Sequence, residues 1–379
     1  MMRALINADV LVDRDLLSGH AVLIDDDRIV AVVVAADVPR DAERTDLSGL
    51  TLAPGLIDIQ VNGGGGVLFN DVPTVDTIAR IGAAHRAFGT TGFLPTLISD
   101  DLAVVRAGVA AVDAAIAAGV PGVLGIHIEG PFLNAERKGI HDPARMRTLD
   151  DTGVAAVTAL TRGRTLVTLA PELTTPAMIA RLVAAGVTVA AGHTNATFEQ
   201  VMAAADAGLT GLTHLYNAMS PLASRGPGAV GAALVDGRLW CSIIVDGQHV
   251  HPAAVQLAIR TKGVDRMMLV TDAMPSVGSV TKSFVLQGHD ITVRDGACYN
   301  DDGTLAGSDL DMAQAVRNAA RIDGVTQVDA LRMASATPAA FLGLADRGRI
   351  AAGAIADLVA IDSHGVPQQT WIAGATEPR

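Results

Sequence analysis

The chain begins with short apolar runs that carry no helical period. Residues 4–12 and 21–24 are apolar, Asp25, Asp26 and Asp27 make a turn cluster, and 28–36 is a further run rich in valine. These features predict strands. The far end has the same character: 350–352, a break at Gly353, then 356–362 and 369–373. Both ends together predict one small β-sandwich domain, residues 1–53 and 346–379, flanking a central α/β domain over 54–345.

In the central region, short apolar runs alternate with Ala-rich segments. Strand candidates fall at 56–61, 93–98, 123–128, 166–170, 187–191, 209–213, 241–245 and 267–271. Helix candidates fall between them at 75–88, 102–118, 176–185, 197–207 and 252–261, while 143–160 and 226–235 show no clear pattern. Eight strands alternating with helices predict a (β/α)8 TIM-like barrel. A doubly wound open sheet is the alternative.

The polar residues that follow these runs are more informative than the runs. At or just past their carboxyl ends stand Gln60 and Asn62, Thr96, Glu129, Glu172, His193, His214, Asp246 and Asp272. Barrel strands are buried on both faces, so polar groups gathered at one end cost stability unless function requires them. The carboxyl-end face is where the catalytic groups of such barrels converge.

Composition narrows what those groups serve. Half the residues are hydrophobic (50%) and 18% are charged, which means a large packed core rather than a disordered chain. Lys and Arg number 28 against 40 Asp and Glu, a net charge of −12, which argues against nucleic-acid or anionic-membrane partners. Two cysteines, Cys241 and Cys298, make neither a disulfide framework nor a four-thiolate zinc site. Residues 1–15 show no signal-peptide pattern, and the longest uncharged apolar stretch, 114–126, is well short of the ~20 residues of a membrane span. The expectation is a soluble, cytoplasmic protein.

Glu129, His193 and His214 close the third, fifth and sixth strand candidates. Two imidazoles and a carboxylate suit zinc or a similar divalent ion and leave a position open for water. Alternation puts His127 on the same side as Glu129, as a ligand or as a supporting partner. Asp272, after the eighth strand, is placed to take a proton from a metal-bound water and return it to a leaving amine.

Several segments then carry a resemblance. Residues 54–63 (PGLIDIQVNG) resemble the first barrel strand of the amidohydrolase superfamily, and 348–359 (GRIAAGAIADLV) resembles the return of its small β domain. More narrowly, 127–132 (HIEGPF), 138–141 (KGIH), 191–197 (AGHTNAT), 213–219 (THLYNAM) and 270–273 (VTDA) together resemble the N-acetylglucosamine-6-phosphate deacetylase family. That family implies hydrolysis of N-acetyl-D-glucosamine 6-phosphate to D-glucosamine 6-phosphate and acetate. The match implies a metal held by Glu129, His193 and His214, with Asp272 as base and then acid. It implies His141 as a donor to the amide carbonyl. Substrate contacts would map onto Ile140, His141, Asn217, Ala218, Arg225, Asp246, Gly247, Gln248, His249, Leu305, Ala306 and Gly307. A homodimer is implied too, with Arg225 and His249 reaching the phosphate across the interface.

Many superfamily members hold two metals through His-x-His on strand one and a carboxylated lysine on strand four. Here Gln60-Val61-Asn62 stands on strand one, Glu172 ends strand four, and the only lysines are Lys138, Lys262 and Lys282. The expectation is one divalent ion per site, with zinc first and iron, cobalt or manganese as alternatives. Gln60 is a candidate for supporting the ligands. The glycine run 63–66 is read as a loop that lets substrate approach the backbone. Two competing readings are an amidohydrolase for another N-acyl or cyclic amide, such as an N-acyl-amino-acid deacylase, and a sugar-phosphate sensor without catalysis.

Overall fold

A computed structural model describes residues 2–376. The central alternation closes into a barrel. Its strands are β1 (Leu56–Val61), β2 (Thr90–Leu97), β3 (Gly125–Glu129), β4 (Arg164–Leu169), β5 (Thr188–Ala191), β6 (Gly211–Leu212), β7 (Trp240–Ile243) and β8 (Met267–Leu269). Each pairs in parallel with the next in sequence, so strand order never reverses. Closure is made just beyond β8. Asp272 N donates to Gln60 O at 3.1 Å, and Asn62 N and Gly63 N donate to Ala273 O at 2.9 and 3.0 Å. An open doubly wound sheet would reverse its order and leave two free edges, so that alternative is set aside.

Eight helices follow the eight strands: α1 (Val75–Arg86), α2 (Leu102–Ala117), α3 (Asp151–Val157), α4 (Pro176–Ala184), α5 (Phe198–Asp206), α6 (Gly228–Val235), α7 (Pro252–Lys262) and α8 (Met312–Ala319). Local chemistry sets their starts. Thr74 caps α1 by accepting from Thr77 N, Thr197 and Gln200 form a capping box on α5, and proline opens α4 and α7. The two stretches that were unclear in sequence hold α3 and α6. Residues 228–234 of α6 are all buried, so it has no polar face to give it a period. Helix α3 is short, seven residues capped by Asp150.

Between β8 and α8 sits an antiparallel four-stranded sheet, Ser283–Leu286, His289–Arg294, Ala297–Tyr299 and Leu305–Ser308, and Cys298 is buried in its third strand. Two sheets make up the small unit. One has strands Arg3–Ile6, His20–Asp25, Arg28–Val34 and Glu43–Asp46. The other joins Asp9–Val12, Asp15–Leu17 and Thr51–Pro54 to Leu358–Ile361 and Pro367–Trp371. Leu5, Val22 and Ile24 of the first meet Val10, Leu52, Leu358 and Trp371 of the second in one core. The apolar run 4–12 is therefore two strands on two sheets, broken where Asn7 takes φ 65°. Met1 and residues 377–379, at the ends of the expected domain ranges, lie outside the described residues.

Candidate active site

Glu129 is the last residue of β3, whereas His193, His214 and Asp272 lie two or three residues beyond β5, β6 and β8. The chain bends sharply at these points. His193, His214, Tyr216, Ala218 and Asp272 all take positive φ, at 47°, 34°, 78°, 49° and 53°. Left-handed backbone costs an L residue about 1–2 kcal/mol, so the fold must hold each turn in place. His214 N donates to Ser242 Oγ at 2.8 Å, Leu215 N to Ser242 O at 2.7 Å, and Thr194 N to Ala218 O at 3.0 Å.

The turns bring three side chains to one point. Glu129 Oε1 lies 2.9 Å from His214 Nε2 and 3.3 Å from His193 Nε2, and the two Nε2 atoms are 3.1 Å apart. His193 Nδ1 sits 2.7 Å from the Arg137 carbonyl. A carbonyl can only accept, so Nδ1 carries the proton and Nε2 turns a lone pair inward. Two nitrogens and one carboxylate oxygen facing a common centre fit a divalent ion such as zinc. Burial alone would raise the Glu129 carboxyl, yet the two imidazoles of His193 and His214 beside it hold it well below the usual carboxylate range. Burial would likewise lower His214, but the same carboxylate raises it.

Next to this group, Asp272 Oδ1 accepts from Asn62 Nδ2 at 2.6 Å and Gln60 Nε2 at 3.2 Å. Gln60 Nε2 also lies 3.1 Å from both oxygens of Glu129, so one amide ties the two carboxylates together. Burial, then the charge of Glu129, pushes Asp272 up to about 6. His141 has its proton placed by a similar argument. Ser99 N–H donates to His141 Nδ1 at 3.2 Å, which leaves the proton of the neutral ring on Nε2. Burial and the neighbouring His193 push His141 down to about 3, so it stays neutral.

His127 makes its hydrogen bond elsewhere. Its Nε2 pairs with Thr168 Oγ1 at 2.8 Å in the barrel interior, and among the described residues it bonds to none of Glu129, His193 and His214. Burial pushes it down to about 4. Alternation gives the side of the strand but not the depth along the barrel axis, so the His127 hydrogen bond is made to Thr168 instead of to those three. Glu172 is a pin between loops. Its Oε1 accepts from Asn134 Nδ2 at 2.9 Å and Asn195 N at 2.6 Å, and its Oε2 accepts from Thr194 Oγ1.

A cavity of about 320 Å³ opens over the cluster. Of the residues named from sequence, Ile140, His141, Asn217, Ala218, His249, Leu305 and Gly307 line it with the cluster. Asp246, Gly247 and Gln248 do not line it but form the turn behind His249. Asp246 Oδ1 accepts from Gln248 N and His249 N, and Oδ2 accepts from His249 Nδ1 at 2.6 Å. Ala306 is buried between the lining residues Leu305 and Gly307, and Arg225 is exposed outside the cavity. Sequence reasoning missed the apolar wall of Ile98, Ile244 and Met274, and also Glu136, Arg137 and Thr304. Glu136 and Arg137 directly precede the KGIH motif, a signal that was available.

The glycine run does a different job from the one expected. A Cβ at Gly63 would lie 2.5 Å from Val67 O and 2.8 Å from Pro275 N, and one at Gly64 would lie 2.9 Å from His85 Nε2. Close packing of the protein on itself, rather than substrate approach, requires these glycines.

Comparison with known proteins agrees with this architecture. The amidohydrolase family model matches residues 51–377, and the NagA composite domain matches 2–52. The chain belongs to the amidohydrolase family. Within it, the chain is 44% identical over 370 residues to N-acetylgalactosamine-6-phosphate deacetylase of Shewanella sp. (strain ANA-3), covering 97% of this chain and 94% of that one. It is 36% identical to N-acetylglucosamine-6-phosphate deacetylase of Haemophilus influenzae, covering 94% of each. The crystal structure of N-acetylglucosamine-6-phosphate deacetylase from Pasteurella multocida superposes with a TM-score of 0.96 at 35% identity over 100% of both chains. A Mycobacterium smegmatis N-acetyl-D-glucosamine-6-phosphate deacetylase mutant, solved with N-acetyl-D-glucosamine-6-phosphate, gives 0.92 at 38% over 99% of each. Among the described residues, no helix is long and apolar enough to cross a membrane.

Proposed function

We propose that this protein hydrolyses the acetamide of N-acetyl-D-glucosamine 6-phosphate, giving D-glucosamine 6-phosphate and acetate. The observation that carries the reading is the meeting of Glu129, His193 and His214 with Asp272 and His141 in one cavity, in a chain so similar to deacetylases of N-acetylhexosamine 6-phosphates.

Glu129, His193 and His214 would hold one divalent ion, zinc first among the candidates. When bound, such an ion lowers the pKa of coordinated water to about 7 and polarises a carbonyl oxygen. Asp272 takes the proton of the attacking water on Oδ2, the oxygen to which no described residue donates, and returns it to the departing amine nitrogen. Its Oδ1 stays fixed by Asn62 and Gln60 throughout. His141 keeps its proton on Nε2 and offers it to the amide oxygen, where negative charge develops. Asn217, Ala218, His249, Leu305 and Gly307 shape the sugar site, with Ala306 and the turn of Asp246, Gly247 and Gln248 supporting it. Arg225, exposed outside its own cavity, suits a homodimer in which it reaches the partner's phosphate. We further infer a small domain of residues 1–53 and 346–379 on a barrel of 54–345. We also place the protein in the cytoplasm, in keeping with two free, buried cysteines.

The test is a metal titration of apo protein, following acetate release from phosphorylated and unphosphorylated N-acetylglucosamine. Turnover that requires metal and strongly prefers the phosphorylated sugar is expected. Equal rates on the two sugars would refute the substrate. A second reading, the galacto epimer, is favoured by the 44% identity to the Shewanella enzyme. Comparing kcat/KM for the two 6-phosphates decides between them.

A further inference from the structure

The catalytic cavity is poorly charged for a dianionic substrate. Glu129, Glu136 and Asp272 line it, and the chain carries −12 overall. Arg137 is the one lysine or arginine among its lining residues. Among the described residues, an anion bound in this cavity therefore has Arg137 as the one permanent cation in its lining.

Arg137 is held from two directions. Its carbonyl accepts from His193 Nδ1 at 2.7 Å, which anchors the backbone beside the ligand cluster. Its Nε donates to Asn195 Oδ1 at 2.5 Å, and Asn195 is itself held through Nδ2 to Glu136 Oε2 at 2.7 Å and N to Glu172 Oε1 at 2.6 Å. With Nε fixed, the plane of the guanidinium is set. Among the described residues, Nη1 and Nη2 have no hydrogen-bond partner, and no carboxylate pairs with them. A half-buried guanidinium, oriented and left with two open donors in a cavity, is a fork without its anion.

We propose that Arg137 binds the phosphate of the substrate from within the same chain, with Nη1 and Nη2 each donating to a phosphate oxygen. The inference rests on the reading of the substrate as a hexosamine 6-phosphate. It adds a cation on the loop after β3, next to the KGIH motif, to whatever Arg225 supplies from a partner. It also gives Glu172 and Asn195 a function: they hold the fork in place.

The metal-loaded protein is compared with Arg137→Gln and Arg137→Lys. Calorimetric titration with glucosamine 6-phosphate reads binding, and acetate release from N-acetylglucosamine with and without the phosphate reads selectivity. Loss of two charge-assisted hydrogen bonds should weaken glucosamine 6-phosphate roughly 10- to 100-fold in Arg137→Gln. The preference for phosphorylated over unphosphorylated substrate should collapse by a similar factor, through KM far more than kcat. Lysine, a point charge without the fork, should restore part of it. Unchanged affinity, or equal losses on both sugars as a hydroxyl contact would give, overturns the proposal. So does a fall in metal content large enough to explain the loss. A wild type that binds glucosamine 6-phosphate through Arg137 yet releases no acetate would refute the proposed reaction and leave this inference standing.

Discussion

Replacing Asp272 with asparagine should destroy turnover and stabilise the metal-free fold at the same time. The carboxamide is nearly the same shape, and its oxygen can keep the hydrogen bonds from Asn62 Nδ2 and Gln60 Nε2. What disappears is the proton acceptor, worth about 10²–10⁴ in rate. A buried negative charge disappears with it. Burial and the charge of Glu129 raise Asp272 from 3.8 to about 6, and two pKa units correspond to about 3 kcal/mol. Because the folded pKa lies above the unfolded one, the cost is absent below pH 3.8, about half present at pH 5 and complete above pH 6. For a chain of 379 residues the unfolding entropy is about 0.8 kcal/mol/K, so the gain at pH 8 amounts to about 4 °C in Tm. The assay is a pair of thermal scans on chelator-treated protein at pH 5 and pH 8, alongside acetate release by the metal-loaded enzyme. A variant within tenfold of wild-type turnover refutes the proton role. A variant less stable than wild type at pH 8 refutes the argument from buried charge.

His141→Asn should lower kcat by about 10²–10³ with metal content unchanged, because it removes the donor for the developing oxyanion but no ligand; lost metal in elemental analysis would contradict this. Gln60→Leu should weaken metal retention about 10- to 100-fold in a chelator competition, since it frees both Glu129 and Asp272 from their shared donor. The pH profile of kcat/KM should fall on the acid side as Asp272 gains a proton, at or below pH 6, because a nearby cation lowers its pKa further. Activity that rises on acidification through that range would count against a carboxylate base. Gly63→Ala should cost about 1–3 kcal/mol by denaturant titration, since its Cβ would meet the backbone of Val67 and Pro275. A neutral result would show that this turn can shift.

The barrel was legible because its strands are buried on both faces and leave apolar runs that end in polar residues. Beyond that, the resemblance supplied much of the candidate substrate site. Helix α6 was not legible, since a helix buried all round has no amphipathic period. The run 4–12 misled because hydrophobicity continues across the turn at Asn7, where only the backbone changes direction.

The sequence by itself carried the type of chemistry: a carboxylate and two imidazoles at strand ends and an aspartate after the eighth strand. Depth and direction were decided only in three dimensions. His127 and Glu129 share a strand face, yet one meets Thr168 in the interior and the other meets two histidines at the mouth. Arg137 takes its place at the cavity wall through contacts with His193 and Asn195, both distant from it in sequence. Periodicity records which way a side chain faces along its own element, but contacts between distant segments depend on how the closed barrel sets those elements against one another.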